Sequence, residues 1–394
     1  MNEPKLRFKA NDGSGFPDWE EKKLEDVVEF LDGQRKPLEA GKRVAGEYPY
    51  YGASGIIDYV DNYIFDEELI LLSEDGANIL DRNYRVCFLA KGKYWVNNHA
   101  HVLRAMSGNV NGFFCEQLES FDYRKYNSGS AQPKLNQETC RSIIVNVPSL
   151  PEQQKIADFL STIDTVIEKQ EATVEAWEER KKGVMQKLFR QEVRFKADDG
   201  SEFPDWEEKK IEDVATCFAG ATPSTKVPEY WMNGTIQWMS SGEVNNGQIY
   251  ETEKKISQLG FDKCSTKMVK PNTVVMALAG QGKTRGMVAI TRTSLCTNQS
   301  LCAIETIDDI CDDYLYQYLQ TQYDNLRLIS SGDGIRGGLN LKLVGGYVIK
   351  IPCLAEQQKI ADCLSSLDDV IEKQKATLAA WKEMKKGLLQ QMFV

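Results

Sequence analysis

The chain has 394 residues, 42% of them hydrophobic, which is long enough for two or three domains with cores of their own and too apolar for a disordered chain. Its net charge of −10 weighs against a simple nucleic-acid binder, and no run of about 18 apolar residues could form a transmembrane helix. The opening MNEPKLRFKANDGSG lacks an apolar secretory stretch, and the ten cysteines are scattered without a C-x-x-C pair, so a cytoplasmic protein with reduced, mostly buried thiols and no metal site is expected.

The chain opens with RFKANDGSGFPDWEEKKLEDV from Arg7, whose PDWEEKK reads as a turn leading into a strand. A domain of short strands and Gly, Asn and Asp turns then runs to residue 146, including an apolar strand at 69–73. It carries polar clusters of the kind that meet bases and phosphates. Tyr48, Tyr50 and Tyr51 surround a glycine-rich turn in EYPYYGASG, and Asn78 and Arg82 follow the strand. Asn97, Asn98, His99 and His101 lie in KYWVNNHAH, and Gln132 and Lys134 lie in SGSAQPKLN. Five Lys or Arg stand against the single acid Asp81 over residues 76–104, a candidate basic surface.

Pro148 then marks the start of a long helix, residues 147–190. Ile156, Leu160, Ile163, Ile167, Val174, Trp177, Val184 and Leu188 repeat at alternating spacings of four and three, the seam of a paired helix. Gln170 and Lys181 interrupt that seam, as residues that set register do. About 39 residues of helix span roughly 58 Å.

With almost no linker the chain begins again. RFKADDGSEFPDWEEKKIEDV from Arg194 differs from the first copy at three of 21 positions. The second domain, residues 191–350 with its opening segment, barely resembles the first in its interior. Its polar candidates are Thr222, Ser224 and Thr225, then Ser240 and Ser241 beside Trp238. Gln281, Lys283, Thr284 and Arg285 follow in GQGKTRG, then Asn298 and Gln299, then Arg336 and Asn340 in SGDGIRGGLN, which stands where the first half has SGSAQPKLN. Residues 254–292 hold eight Lys or Arg against the single acid Asp262. The last segment, 351–394, matches the first helix at 27 of 42 positions from Pro352, with Ile360, Leu364, Leu367, Ile371, Leu378, Trp381, Leu388 and Met392 as its stripe.

So the frame is kept and the middles differ. That suits a protein whose frame meets one kind of partner twice while its middles recognise two different things. The expected fold is α+β: two α/β recognition domains at opposite ends of a long antiparallel two-helix coiled coil, with an internal pseudo-two-fold repeat. Such symmetry fits a two-part DNA site.

This layout resembles the specificity subunits of type I restriction–modification enzymes over essentially the whole chain. The most specific marks are the P-x-L-x-E-Q-Q-K-I stretches beginning at Pro148 and Pro352, together with FPDWEEKKLEDV at Phe16 and FPDWEEKKIEDV at Phe203. The resemblance implies that the variable domains are target recognition domains and that the paired helices fix the gap between half-sites. It implies two modification subunits, which carry S-adenosylmethionine and methylate adenine, with restriction subunits joining later. This chain itself would bind no cofactor and would be non-catalytic.

Enzyme motifs read weakly. AGQGKT resembles a phosphate-binding loop, but Ala277 holds the place of its first glycine, and GMVAITR after it reads as a strand instead of a helix. Gly332, Gly334 and Gly337 fit G-x-G-x-x-G in reversed context, after a helical stretch and before an extended one, LNLKLVGGYVIKI. The two histidines have no acidic or cysteine partner nearby in sequence. A coiled-coil scaffold that bridges proteins and ignores DNA is the competing reading, favoured by the acidic total.

Overall fold

A computed structural model of the chain describes residues 4–129, 132–280, 283–330 and 338–393. These fall into two compact units, one comprising the described residues up to Thr173 together with those from Gln374, the other Val174–Lys373. The division lies inside two 40-residue helices, Leu150–Phe189 and Leu354–Phe393.

In the first unit the central sheet has the strand order Val28–Phe30, Ala100–Ala105, Leu69–Ser73, Cys87–Ala90, all antiparallel. Its middle strand reads LILLS because both faces are covered. Ile70 and Leu72 face a core shared with Phe113, Phe114 and Leu118 of the helix Asn111–Ser120 and with Ile156 and Leu160. Leu69 and Leu71 face the other way, onto Phe65, Tyr94 and Val96 of a second sheet. That sheet has the order Gly55–Val60, Ala45–Gly52, Lys93–Val96, Phe65–Asp66.

The second unit builds the same layers from different residues. Its central sheet runs Ala215–Ala219, Leu301–Thr306, Val274–Ala277, Val288–Thr291, Gln248–Ile249. Val274 and Met276 join one core, with Tyr314 and Leu315 of the helix Asp312–Thr321, and Val275 and Ala277 join the other. The strand expected in GMVAITR is Val288–Thr291. The extended reading of LNLKLVGGYVIKI holds only for Val348–Ile351. Leu341–Gly345 is helical instead, because Asn340 caps it, its Oδ1 accepting the Leu343 amide at 2.9 Å.

The repeated segments make a latch in each unit. Glu20–Lys23 pairs antiparallel with Ile144–Val147, and Glu207–Lys210 with Val348–Ile351. Glu152, at the start of the first long helix, is fully buried, and its carboxylate accepts Arg7 Nε at 3.1 Å, Arg7 Nη2 at 2.9 Å and Trp19 Nε1 at 3.2 Å. Glu356 receives Arg194 at 3.1 and 2.7 Å and Trp206 at 3.1 Å. Gln153 Nε2 donates to Pro148 O while its Oε1 accepts the Val110 amide. Gln357 does the same with Pro352 and Cys311. The E-Q-Q stretch thus ties opening segment, variable domain and helix start together.

Within each unit one half of each long helix runs antiparallel to part of the other. Ile156, Leu160, Ile163, Val174, Ile360, Leu364 and Ile371 are buried, and Ile167, Trp177, Leu367, Leu378 and Trp381 are half-buried. The seam's polar residues have partners. Gln170 Nε2 donates to Gln374 Oε1 at 2.7 Å. Lys385 meets Asp164 at 2.6 Å and Glu116 at 3.0 Å in the first unit, and Lys181 meets Asp368 at 2.6 Å in the second. All ten cysteines are free, five of them buried and five partly so.

Removing one partner of a buried ion pair leaves the other charge uncompensated. Glu152→Ala should therefore lower stability by about 3–5 kcal/mol, read as a shifted urea midpoint followed by tryptophan fluorescence. Glu356→Ala should match it.

Candidate nucleic-acid interface

In the first unit, strands Ala45–Gly52 and Lys93–Val96 run parallel, with Tyr51 opposite Val96. The chain then passes from one loop to the next through backbone bonds. Asn97 N donates to Tyr51 O at 3.0 Å, Glu74 N to His99 O at 2.9 Å, and Leu135 N to Glu74 O at 2.7 Å. Asn97 Oδ1 accepts the His99 amide at 2.8 Å. Four clusters far apart in sequence, around residues 51–53, 74–78, 97–101 and 132–136, therefore meet. The approach at Gly52 is close: a Cβ there would stand 3.1 Å from Ile57 Cγ2 and 3.4 Å from Asn97 Nδ2, so these side chains would have to shift.

Not every expected contact residue faces outward. Tyr50 is 1% exposed; its hydroxyl accepts the Leu38 amide and Arg43 lies over its ring, so it is a core residue. Tyr51 packs on Phe88 and Tyr94. Asn97 is buried in its turn. Asn78 closes a loop, its amide donating to Tyr84 O while its Oδ1 accepts the Tyr84 amide. Arg82, with a left-handed φ of 55°, pairs with Glu119 at 3.0 Å. Asn98, His99, Gln132 and Lys134 are exposed, with His99 Nδ1 2.9 Å from Asp75 and Lys134 Nζ 3.4 Å from Glu74.

The second unit repeats the backbone scheme. Strands Ile236–Met239 and Leu295–Thr297 run parallel, with Met239 opposite Thr297. Asn298 N donates to Met239 O at 3.1 Å, Leu278 N to Ser300 O at 2.8 Å, and Leu339 N to Leu278 O at 2.9 Å. Asn298 Oδ1 accepts the Ser300 amide at 3.0 Å, as Asn97 does with His99. Thr222 Oγ1 donates to Gln299 Oε1 at 2.6 Å, and Trp238 Nε1 to Ala221 O at 3.0 Å, so the chain around Ala221 and Thr222, Trp238 and Met239, Leu278, and Asn298 to Ser300 also converges.

Ser224, Thr225, Lys283 and Gln299 are exposed. Ser240 caps a short helix with Glu243, Ser241 is its first residue, and Arg285 is half-buried. Asn340 is a helix cap, as described above. Gln281 and Arg336 lie outside the described residues.

The two basic stretches differ. In 76–104, Arg82, Arg85, Lys91 and Arg104 pair with Glu119, Glu116, Glu68 and Glu67, acids distant in sequence. In 254–292, Arg292 pairs with Asp313 and Lys270 with Glu305. Lys254, Lys255, Lys263 and Lys267 are exposed and make no ion pair among the described residues.

The histidines do have acidic partners, brought from afar. His101 is fully buried, its Nδ1 2.6 Å from Asp32 Oδ2 and its Nε2 2.7 Å from Leu135 O. Burial alone would push its pKa down, but the bond to Asp32 and the Cys140 thiol beside it raise it to about 10. Asp32 is desolvated, yet His101 and the Val102 amide hold its carboxyl below the usual range.

The family description "Type I restriction modification DNA specificity domain" matches the chain twice, at residues 17–176 and 204–380. The MjaVIII specificity subunit of a type I restriction enzyme from Methanocaldococcus jannaschii is 25% identical over 391 residues, 93% of this chain and 90% of that protein. The MjaIX specificity subunit from the same organism is 35% identical over 195 residues, 48% of this chain and 44% of its own length. A Haemophilus influenzae relative, 34% identical over 142 residues, is spanned over 36% of its length. This chain therefore spans less than half of two of these relatives and nine tenths of the third. The crystal structure of a type I restriction–modification S subunit from M. genitalium has the same fold, with a TM-score of 0.65 at 15% identity over 100% of this chain and 99% of that one.

Because the pKa of His101 is raised from 6.5 to about 10, its imidazolium stabilises the unit fully below about pH 6.5, and the contribution fades as pH rises through about 10. His101→Gln should therefore cost most at pH 6 and progressively less toward pH 10, measured by urea unfolding at fixed ionic strength.

Proposed function

The chain belongs to the type I restriction modification DNA specificity family, and on that premise we propose that it is the sequence-reading subunit of a restriction–modification complex. Each unit reads one half of a bipartite, asymmetric DNA site. The paired helices set the gap between the halves and, with the repeated frame, dock two modification subunits. The chain itself is non-catalytic and binds no cofactor. S-adenosylmethionine is held by the modification subunits, which methylate adenine, and restriction subunits complete the assembly.

One observation carries this reading. Two units with near-identical frames build the same backbone hydrogen-bond scheme, Asn97 to Tyr51 and Asn298 to Met239, around loops whose side chains differ almost throughout. A protein that bridges two identical partners has no need of such divergence. A protein that reads two different half-sites requires it, because base edges are distinguished by side-chain donors and acceptors. The net charge of −10 supports the rival, a scaffold indifferent to DNA.

Co-expression with a modification subunit in a methylation-free bacterium, followed by genome-wide mapping of methyladenine, decides between them. A two-part asymmetric motif with a fixed unread gap is expected. A continuous motif overturns the two-unit reading. Absence of methylation, with the complex formed and the modification subunit active alongside another specificity subunit, favours the scaffold.

Two further outcomes are expected. Adding seven residues to both long helices lengthens each by about 10 Å, so the unread gap should grow by about three base pairs; an unchanged gap would sink the spacing role. Affinity of the complex for its site should fall linearly on a log–log plot against salt, as fluorescence anisotropy titrations would register.

A further inference from the structure

Beneath the first unit's converging loops lies a cluster of four charged side chains. Arg35 Nη1 donates to Glu74 Oε2 at 2.7 Å and to Ala100 O at 2.8 Å, and Asn98 O stands 3.5 Å away. Arg35 Nη2 is 3.5 Å from Asp32 Oδ2, and Arg35 Nε donates to Asp32 O at 3.1 Å. Asp32 Oδ1 accepts the Val102 amide, and its other oxygen faces His101, which reaches Leu135 O. The side chains of Arg35, Asp32, Glu74 and His101 are 13%, 7%, 15% and 1% exposed. The cluster thus grips the backbone of two loops at once, the run 98–102 and the end of the 132–135 loop.

The second unit has no such cluster at these positions. By strand register His101 lies opposite Leu72, and the equivalent position opposite Met276 is Cys302. Cys302 pairs with Ala219, and counting on from the repeated EDV of the two opening segments places Ala219 where the first unit has Asp32. Leu278 takes the place of Glu74, accepting from Leu339 as Glu74 accepts from Leu135. Alanine, cysteine and leucine therefore suffice to build the same layers and the same backbone scheme. Burying four charges is costly unless each is matched, so a fold that stands without them has another reason to hold them here. What they hold is the backbone that carries Asn98 and His99, and the end of the loop that carries Gln132 and Lys134, all four of them exposed.

We propose that Asp32, Arg35, Glu74 and His101 form a positioning element of the first unit's reading surface, which sets base discrimination at one half of the DNA site and leaves the other half untouched. The four act through the loops they hold and touch no base themselves. Arg35 is central because its planar fork meets several acceptors in one geometry, which a lysine does not reproduce. The inference rests on the sequence-reading function proposed above.

The test is selection from a pool of randomised duplex DNA by the full chain in complex with its modification subunits, comparing wild type with Arg35→Met, Arg35→Lys and His101→Gln. Circular dichroism and a urea titration first establish which variants are folded. Wild type should enrich a two-part motif. Arg35→Met should weaken base preference roughly tenfold at one half only, the scale of a lost base contact, with the other half kept within about twofold. Arg35→Lys should fall between. Should Arg35→Met fail to fold, Arg35→Lys and His101→Gln carry the same comparison. Unchanged preference at both halves, or an equal loss at both, overturns the positioning role. A wild-type complex that enriches no sequence removes the recognition function itself, and the proposal with it; the wild-type control separates that failure from the other two.

Discussion

A buried carboxylate holds each half of this protein shut. Glu152 and Glu356 stand at the first turn of the long helices, and each receives an arginine and a tryptophan from a segment more than a hundred residues earlier. The recognition domain is a closed loop between those two points. The entropic cost of closing such a loop grows only slowly with its length, so the contents can vary without altering the closure. The glutamine that follows each glutamate extends the tie to the recognition domain itself, through the Val110 and Cys311 amides. Everything that differs between the halves differs inside this closure.

The frame was legible because it was written twice. Three changes in 21 residues and 27 identities in 42 are visible without a structure, and the four-three spacing of Ile156, Leu160, Ile163 and Ile167 specifies a helix that needs a partner. Why the E-Q-Q-K stretch recurs was not legible, because its partners lie 145 residues away for Arg7 and 162 for Arg194. The histidines show the same limit. Their acids, Asp32 and Asp75, are 69 and 24 positions distant, so scanning the neighbouring sequence finds nothing. The basic stretch 76–104 misleads for a related reason: Glu116 and Glu119, just beyond it, fold back to neutralise Arg85 and Arg82.

The helix seam shows how polar residues specify without stabilising much. Gln170 and Gln374 bond to each other at a point where two leucines would pack as well, and Lys385 sits between Asp164 and Glu116. A slipped register would leave Lys385 buried and unpaired and the half-buried glutamines without each other, which costs more than the matched pairs contribute. The two units solve the junction differently. The first unites Lys385 with Glu116 and Arg85 of the recognition domain, whereas in the second Gln317 Nε2 donates to the Asp368 carboxylate that Lys181 also meets. The seam is common to both units, and the attachment of each domain to it is individual.

The candidate contact residues sort by what their side chains already hold. Asn97 and Asn298 bond the backbone two residues on, at His99 and Ser300, a local turn that asparagine forms readily. Both follow a strand that runs parallel to its neighbour, and in both the side chain is committed to directing the chain toward the next loop. Asn340 is likewise committed, as a cap. A polar residue in a loop is thus ambiguous from composition alone, since turn-making and base-reading draw on the same residue types. The ambiguity lifts at the residue that follows. Asn98 comes after a committed asparagine and is exposed, with its backbone carbonyl within reach of Arg35, and Gln299 comes after Asn298 and is exposed, its amide oxygen accepting from Thr222. In each unit the asparagine fixes the path of the chain, and the side chain one position later is presented to solvent. Two dissimilar sequences can therefore present different chemistry at one place, because the positions that fix the path and the positions that face outward are not the same.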